Sequence, residues 1–151
     1  MDTNNQYLHE VAITAIIVKD NKYLITRRSA NKKRFPGMWT VPGGKMETND
    51  YLQLPKDTEH YWYNVLERTL RREVKEEAGI ELSSTPTLIG AQDILKNDRH
   101  VVRLTYVAPI GSVTPVLSDE HDEYAWFTLD EIRSREDFDK YLRELLTTQT
   151  L

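Results

Sequence analysis

The chain reads as an α+β fold, a mixed sheet with helices on its faces, and three features carry that expectation. Strand-like segments come first, one long helical segment interrupts them, and further strands and a last helical region follow, an order that layers helices on a sheet. The run Val11-Ala-Ile-Thr-Ala-Ile-Ile-Val18 is too short and too β-branched for a buried helix and suits a central strand. Leu66, Leu70, Val74 and Ala78 recur every four residues, the apolar stripe of a helix laid on a core.

The remaining elements are predicted in order. Residues 1–7 are polar and are expected to fray. Lys19-Asp20-Asn21-Lys22 makes a turn, and Tyr23-Leu24-Ile25-Thr26-Arg27 returns as the second strand of a hairpin. Residues 28–36 form a basic loop with Arg28, Lys32, Lys33 and Arg34. Trp39-Thr40-Val41 is a short strand that runs into Pro42-Gly43-Gly44, and Trp39 is expected in the core. A polar, aromatic-bearing excursion over 45–60 precedes a helix from about residue 61 to Ala78. Strands are expected at 80–82, 87–94 and 100–108, then an acidic loop from Leu117 to Glu123, and a last strand at 124–128. Thr128 and Glu131 fit a capping box that opens the terminal helical region, whose stripe is Phe138, Leu142 and Leu145 or Leu146.

At 151 residues and 17.7 kDa the chain fits one domain, 1–151. Its net charge of −4 lacks the basic excess of a surface that holds nucleic acid non-specifically, so no stable nucleic-acid partner is expected. With no cysteine, thiol catalysis and disulfides are excluded. No apolar stretch approaches the ~20 residues that span a bilayer, and no leader pattern stands in the first 20 residues; a cytoplasmic protein, monomer or homodimer, is expected.

Chemistry concentrates in Arg72-Glu73-Val74-Lys75-Glu76-Glu77-Ala78-Gly79. Glu73, Glu76 and Glu77 stand at i, i+3 and i+4, neighbours on one helical face. Like charges so placed repel by about 0.2–0.5 kcal/mol per pair. Two of them sit in the last turn, where the helix dipole disfavours anions by about 0.3–1 kcal/mol each. Gly79 is the expected C-cap. A cation would relieve both penalties, and hard oxygen donors suit Mg²⁺ or Mn²⁺. The competing explanation is a solvated charged face with Arg72 paired to Glu76.

The glycine pair before the helix, together with Arg72-Glu73-Val74-Lys75-Glu76-Glu77-Ala78-Gly79-Ile80, resembles the signature of the Nudix hydrolases, Gly-x5-Glu-x7-Arg-Glu-U-x-Glu-Glu-x-Gly-U, with U bulky and apolar. Gly44 matches the opening glycine, and the second half matches at every fixed position. The approach Phe35-Pro36-Gly37-Met38-Trp39-Thr40-Val41-Pro42-Gly43-Gly44-Lys45-Met46-Glu47 is similar to that of MutT-like members. The chain departs at one place: counting back eight from Arg72 reaches Asn64, twenty beyond Gly44. An insertion of about fourteen residues, within 48–63, therefore interrupts the signature, and Asn64 stands where the first glutamate is expected. Asp50, at the uninterrupted spacing, or Glu59 are the candidates to replace it.

The resemblance implies a Nudix-type α/β/α sandwich with a mixed, mainly antiparallel sheet. It implies metal-dependent hydrolysis of a nucleoside diphosphate linked to a further group, a (d)NTP or oxidised dNTP pyrophosphohydrolase being the favoured form; a nucleotide-sugar hydrolase or a non-catalytic nucleotide sensor are the alternatives. Glu73, Glu76, Glu77 and, from the acidic loop, Glu120 are the implied Mg²⁺ ligands, with Asp119, Asp122 and Glu123 as competitors to Glu120. Arg72 is the implied support of the acids, and Glu73, Glu120 or a metal-bound hydroxide the base. Arg28, Arg99, Gly43, Gly44 and Lys45 are the implied substrate contacts. His100 and His121 are expected to be surface or core residues. Lys32, Lys33 and Arg34 either steer an anionic substrate or form a solvated loop. Tyr51, Tyr61, Trp62 and Tyr63 of the insertion pack back, form a dimer contact, or wall the leaving group.

Overall fold

The computed structural model describes residues 6–110 and 113–148; residues 1–5 of the segment expected to fray lie outside it. The central strand is β1, Glu10–Lys19, in which Ile13, Ala15, Ile16 and Ile17 are all fully buried. Burial on both faces explains why its sequence is a continuous apolar run rather than an alternation. β2 (Lys22–Arg28), β3 (Trp39–Thr40) and β4 (Gly43–Lys45) follow, then a short 3-10 turn at Thr48–Asp50 and helix α1, Val65–Ala78. After α1 come β5 (Thr87–Lys96), β6 (Arg99–Pro109), β7 (His121–Phe127), α2 (Leu129–Ser134) and α3 (Lys140–Thr148).

The strands form one seven-stranded sheet in the order β3-β2-β1-β6-β5, with β4 also paired to β1 and β7 to β2. β1 and β6 run parallel from Glu10↔Val101 to Val18↔Pro109, and the other pairings are antiparallel. The sheet is thus mixed and mainly antiparallel. On one face Ile13, Ala15, Ile17 and Leu24 meet Leu70, Val74 and Ala78 of α1, closed by Ile80 and Leu82. On the other, Ile16, Tyr23, Ile25, Trp39 and Val41 meet Ile132, Phe138, Leu142 and Leu146. The α/β/α sandwich follows from these two cores. Among the described residues no helix is long and apolar enough to cross a membrane.

Local signals explain the joints. Asp20 and Asn21 (φ 50° and 60°) link β1 to β2, and Asn97 and Asp98 (φ 50° and 61°) link β5 to β6. Both are two-residue loops in left-handed conformation, which Asn and Asp tolerate and which matches the twist of a hairpin. Gly79 closes α1 at φ 67°, its N–H donating to Lys75. Thr128 and Glu131 make the reciprocal capping box at α2.

Four boundaries differ from expectation. Residues 80–82 form no strand: Ile80 and Leu82 are buried, but the segment plugs the core beside α1, and its carbonyl at Leu82 accepts from Arg71. α1 begins at Val65, because Asn64 is left-handed (φ 58°) and ends the inserted loop. β7 starts at His121 rather than 124, since pairing with β2 extends through Glu123↔Arg27 and His121↔Arg28 and draws in half of the acidic loop. The terminal region is two helices, with Phe138 between them in a bridge to Trp39.

Leu70 is fully buried at the centre of the α1 interface. Leu70→Ala is expected to cost about 2–5 kcal/mol in urea unfolding. The exposed Leu88→Ala is expected to stay within about 0.5 kcal/mol.

Candidate functional site

The C-terminal half of α1 lies against β4, and the contact needs glycine. Gly43 pairs with Thr14 and Gly44 with Ile13 of β1, so both are held by the sheet. A Cβ on Gly43 would collide with the Ile13 carbonyl, and one on Gly44 with the Glu73 carboxylate. Gly43 N–H donates to Glu77 Oε2 at 3.0 Å. Gly43 therefore lets β4 lie close on β1, Gly44 leaves the space that the Glu73 carboxylate fills, and the Gly43 N–H anchors Glu77.

Glu120 arrives from the segment before β7, which is laced to its surroundings by backbone hydrogen bonds. Val116 N–H donates to Ala78 O at 2.8 Å, Ser118 N–H to Glu77 O at 3.1 Å, and Ser29 N–H to Glu120 O at 3.0 Å. The Glu77 and Glu120 side chains hydrogen-bond to each other. Burial, reinforced by Glu120 and Glu73, pushes the Glu77 carboxyl up to about 9 even though the Gly43 N–H favours its anion. Burial also pushes Glu73 up, against the pull of Arg72. Glu120 is partly buried, yet its bond to Glu77 and the nearby Lys32 bring it below the ordinary range. Lys32 Nζ stands 3.5 Å from it.

Arg72 spans the rest of the group. Its guanidinium reaches Asp50 Oδ1 at 2.6 and 2.8 Å, Glu73 Oε1 at 3.0 Å and Glu76 Oε2 at 3.0 Å. The Arg72–Glu76 pair thus forms on the solvated side, as one arm of a network that also holds the more buried Asp50 and Glu73. The Asp50 side chain is 5 % exposed, and its other oxygen accepts from Glu47 N–H at 2.7 Å. Asp50 consequently takes the place beside Arg72. Glu59 is 87 % exposed and meets only His60 among the described residues, and Asn64 makes no side-chain cap bond.

As the side chains stand, no three acids or histidines among the described residues converge into a metal-holding group. Glu76 is paired to Arg72 on the exposed side, and burial and Glu120 keep the Glu77 carboxyl in its protonated form. The donor chemistry nonetheless fits a hard divalent ion. Glu73, Glu76, Glu77 and Glu120 offer only carboxylate oxygens, and a buried acid held protonated above neutrality is one whose charge lacks a counter-ion.

A cleft of about 640 Å³ opens from this group along the sheet. Gly43, Gly44, Lys45, Glu77, Arg28 and Arg99, all expected at the site, line it. Arg28 Nε donates to Arg34 O at 2.8 Å, which folds the basic loop over the mouth, and Lys33 and Arg34 line it too. His121, 5 % exposed, is a buried wall residue with Nδ1 unpartnered, and burial and then Arg28 push its pKa down. His100 instead stacks on His9, 5.1 Å between ring centres. Trp39 is core, with Arg27 and Arg135 over its ring.

No residue between Lys45 and Glu77 lines the cleft. The insertion folds on itself: Tyr51 and Trp62 lie 5.3 Å apart, Trp62 Nε1 donates to Leu54 O, and Asp57 pairs with Arg68 of α1. Tyr61 and Tyr63 stay exposed.

Three cleft residues escape a motif-based reading of the sequence. Glu10 meets Lys45 and Arg99, while Arg103 pairs bidentately with Asp139. Asp139 also accepts from the N–H groups of Tyr141 and Leu142. The available signals were two arginines four apart, and so on one face of a strand (99 and 103), and an aspartate three residues before Leu142, a capping position.

The NUDIX domain pattern matches residues 8–149. The chain belongs to the NUDIX family. It is a Nudix hydrolase, and hydrolases of this family generally use a divalent metal. Among its relatives, an ADP-ribose pyrophosphatase of Methanocaldococcus jannaschii is 28 % identical over 129 residues, 83 % of this chain and 66 % of that protein. The nucleoside triphosphatase NudI of Salmonella agona is 25 % identical over 130 residues, 80 % of this chain and 82 % of that one. The crystal structure of a MutT NUDIX hydrolase from Burkholderia pseudomallei superposes with a TM-score of 0.73 at 28 % identity, covering 95 % of this chain and 99 % of the other.

The raised Glu77 pKa gives a pH signature. From about 4.5 to about 9 the folded Nudix chain keeps a proton that the unfolded chain releases. Stability from this pair is full below the unfolded value and is lost as pH rises through about 9. In urea unfolding with a chelator present, Glu77→Gln should gain on the wild type between pH 5 and pH 8; equal shifts for both proteins would contradict a protonated Glu77.

Proposed function

We propose that this Nudix hydrolase is a Mg²⁺- or Mn²⁺-dependent pyrophosphohydrolase that cleaves the diphosphate of a nucleoside diphosphate linked to a further group, with (d)NTPs, oxidised dNTPs included, as the favoured class. Water adds to one phosphorus, the bridging P–O bond breaks, and NMP, pyrophosphate and a proton result. The observation that carries this reading is the seating of Glu73 and Glu77 on Gly44 and Gly43, beside Glu120, at the end of a cleft lined by Arg28, Arg99 and Lys45.

A divalent ion held by Glu73, Glu76, Glu77 and Glu120 would neutralise phosphoryl oxygens and acidify the attacking water. Arg72 keeps Glu73 and Glu76 in register, and Asp50 keeps Arg72 in place. Arg28, which carries no ion pair among the described residues, presents its fork to anionic oxygens of the substrate. In this reading Glu73 or Glu120 takes the water's proton, unless a metal-bound hydroxide serves alone. The approach segment Phe35–Trp39 and Arg99 favour nucleoside triphosphates, as does the name of the NudI relative. A second reading, a substrate of the ADP-ribose kind, draws on the name of the M. jannaschii relative. A non-catalytic sensor is disfavoured because every acid of the second half of the signature is present.

A panel of dNTPs, oxidised dNTPs, ADP-ribose and nucleotide sugars, assayed with Mg²⁺ for nucleoside monophosphate, the product common to all of them, tests the assignment. Turnover is expected with the wild type, and Glu76→Gln is expected to lose more than about 100-fold; binding without turnover would replace the enzyme by a sensor. Asp50→Asn should lower kcat by about 10–100-fold, the usual effect of removing a side chain that orients a ligand-bearing group. An equal loss in Glu59→Gln would contradict the place given to Asp50.

A further inference from the structure

Charge is distributed unevenly around the cleft. On the loop side, Arg28, Lys33 and Arg34 line it and carry no ion pair among the described residues. On the sheet side every cation is matched. β1 begins at Glu10, and its two neighbours there are β4 and the parallel strand β6, with Ala12↔Lys45 and Glu10↔Val101 in register. Glu10 Oε1 accepts from Arg99, and Lys45 Nζ stands 2.8 Å from Oε2. One carboxylate therefore bridges two strands and holds two cations. Four residues beyond Arg99 on β6, Arg103 is paired to Asp139 at 2.9 and 3.2 Å. Arg99, Val101 and Arg103 alternate onto the cleft, as the strand period requires. The hydrogen bond from Arg99 and then the adjacent Lys45 ammonium hold the Glu10 carboxyl down to about 2, so it is an anion at every working pH.

We propose that Glu10 is a specificity-determining residue: a built-in counter-anion that occupies Lys45 and Arg99 and reserves the β1–β4–β6 end of the cleft for an uncharged, hydrogen-bonding part of the substrate. This rests on the nucleotide reading of the cleft and gives it a direction. The nucleoside, rich in hydroxyl and amide groups, takes the Glu10 end. The polyphosphate is left to the unpaired cations of the loop and to the Gly43–Glu77 end. The same pairing fixes the two long cationic side chains before the substrate arrives, which reduces the entropy lost on binding. Without Glu10 two adjacent cations would remain, an attractive seat for phosphate in the wrong orientation.

The test uses inorganic tripolyphosphate, a probe with charge and no nucleoside, titrated into the full chain by calorimetry without metal. Glu10→Gln is expected to bind it about fivefold more tightly than the wild type, with a steeper salt dependence. Adding Arg99→Ala to that variant should return the affinity to the wild-type level. Equal affinity of wild type and Glu10→Gln would overturn the proposal, and so would a gain that survives Arg99→Ala. A merely structural Glu10 would give looser binding, not tighter. In the nucleotide assay, Glu10→Gln should raise KM for the cleaved nucleotide and make tripolyphosphate a stronger inhibitor. Should the wild type cleave no nucleotide, the hydrolase assignment falls, while the tripolyphosphate titration still decides the part played by Glu10.

Discussion

The approach of α1 to β4 is the constraint on which the site depends. Helix and sheet usually keep side-chain distance, but here Gly44 removes it for Glu73, and the Gly43 N–H meets the Glu77 carboxylate directly. The apolar stripe Leu70, Val74 and Ala78 sets the angle at which α1 lies on β1, and β1 is fixed in turn by burial on both faces. Glu73 and Glu77 flank that stripe. Their position is therefore set by the core packing, and the cost of burying acid charge is carried by a structure whose stability comes from elsewhere.

Much of this was legible because it rests on local chemistry. The β-branched run became β1, the i, i+4 stripe became the buried face of α1, and Gly79 and the Thr128–Glu131 pair ended and began helices where expected. The misread places are those decided by tertiary contacts. Ile80 and Leu82 are apolar enough for a strand, yet no strand lies beside them to pair with, so they fill the core as a plug. The acidic stretch after Asp119 joins β7 because Arg27 faces Asp122 and Glu123 across the sheet, at 2.7 and 2.9 Å. Spacing from Gly44 offered Asp50 and spacing from Arg72 offered Asn64; geometry favours Asp50, which a 3-10 turn places beside the guanidinium.

The cleft shows the same division. Residues that belong to a short motif, Gly43, Gly44, Lys45 and Glu77, could be assigned to it from order alone. Glu10 and Asp139 could not, because each acts on a partner far away in sequence: Arg99 lies 89 residues from Glu10, and Arg103 lies 36 from Asp139. Such pairings exist only once parallel β1 and β6 are side by side and α3 is docked below them. They matter because they cancel charge on one wall and leave it on the other, and a bound anion responds to the net field rather than to a count of basic residues.

The self-contained insertion has a practical side. It is pinned to α1 near its start by Asp50 at Arg72 and at its middle by Asp57 at Arg68, while Leu52, Tyr61 and Tyr63 are exposed and stay clear of the cleft. The exposed stretch between those two anchors is thus a natural cassette: a place to graft a peptide tag, a fluorophore or a tether for immobilisation while the Asp50–Arg72 contact is kept.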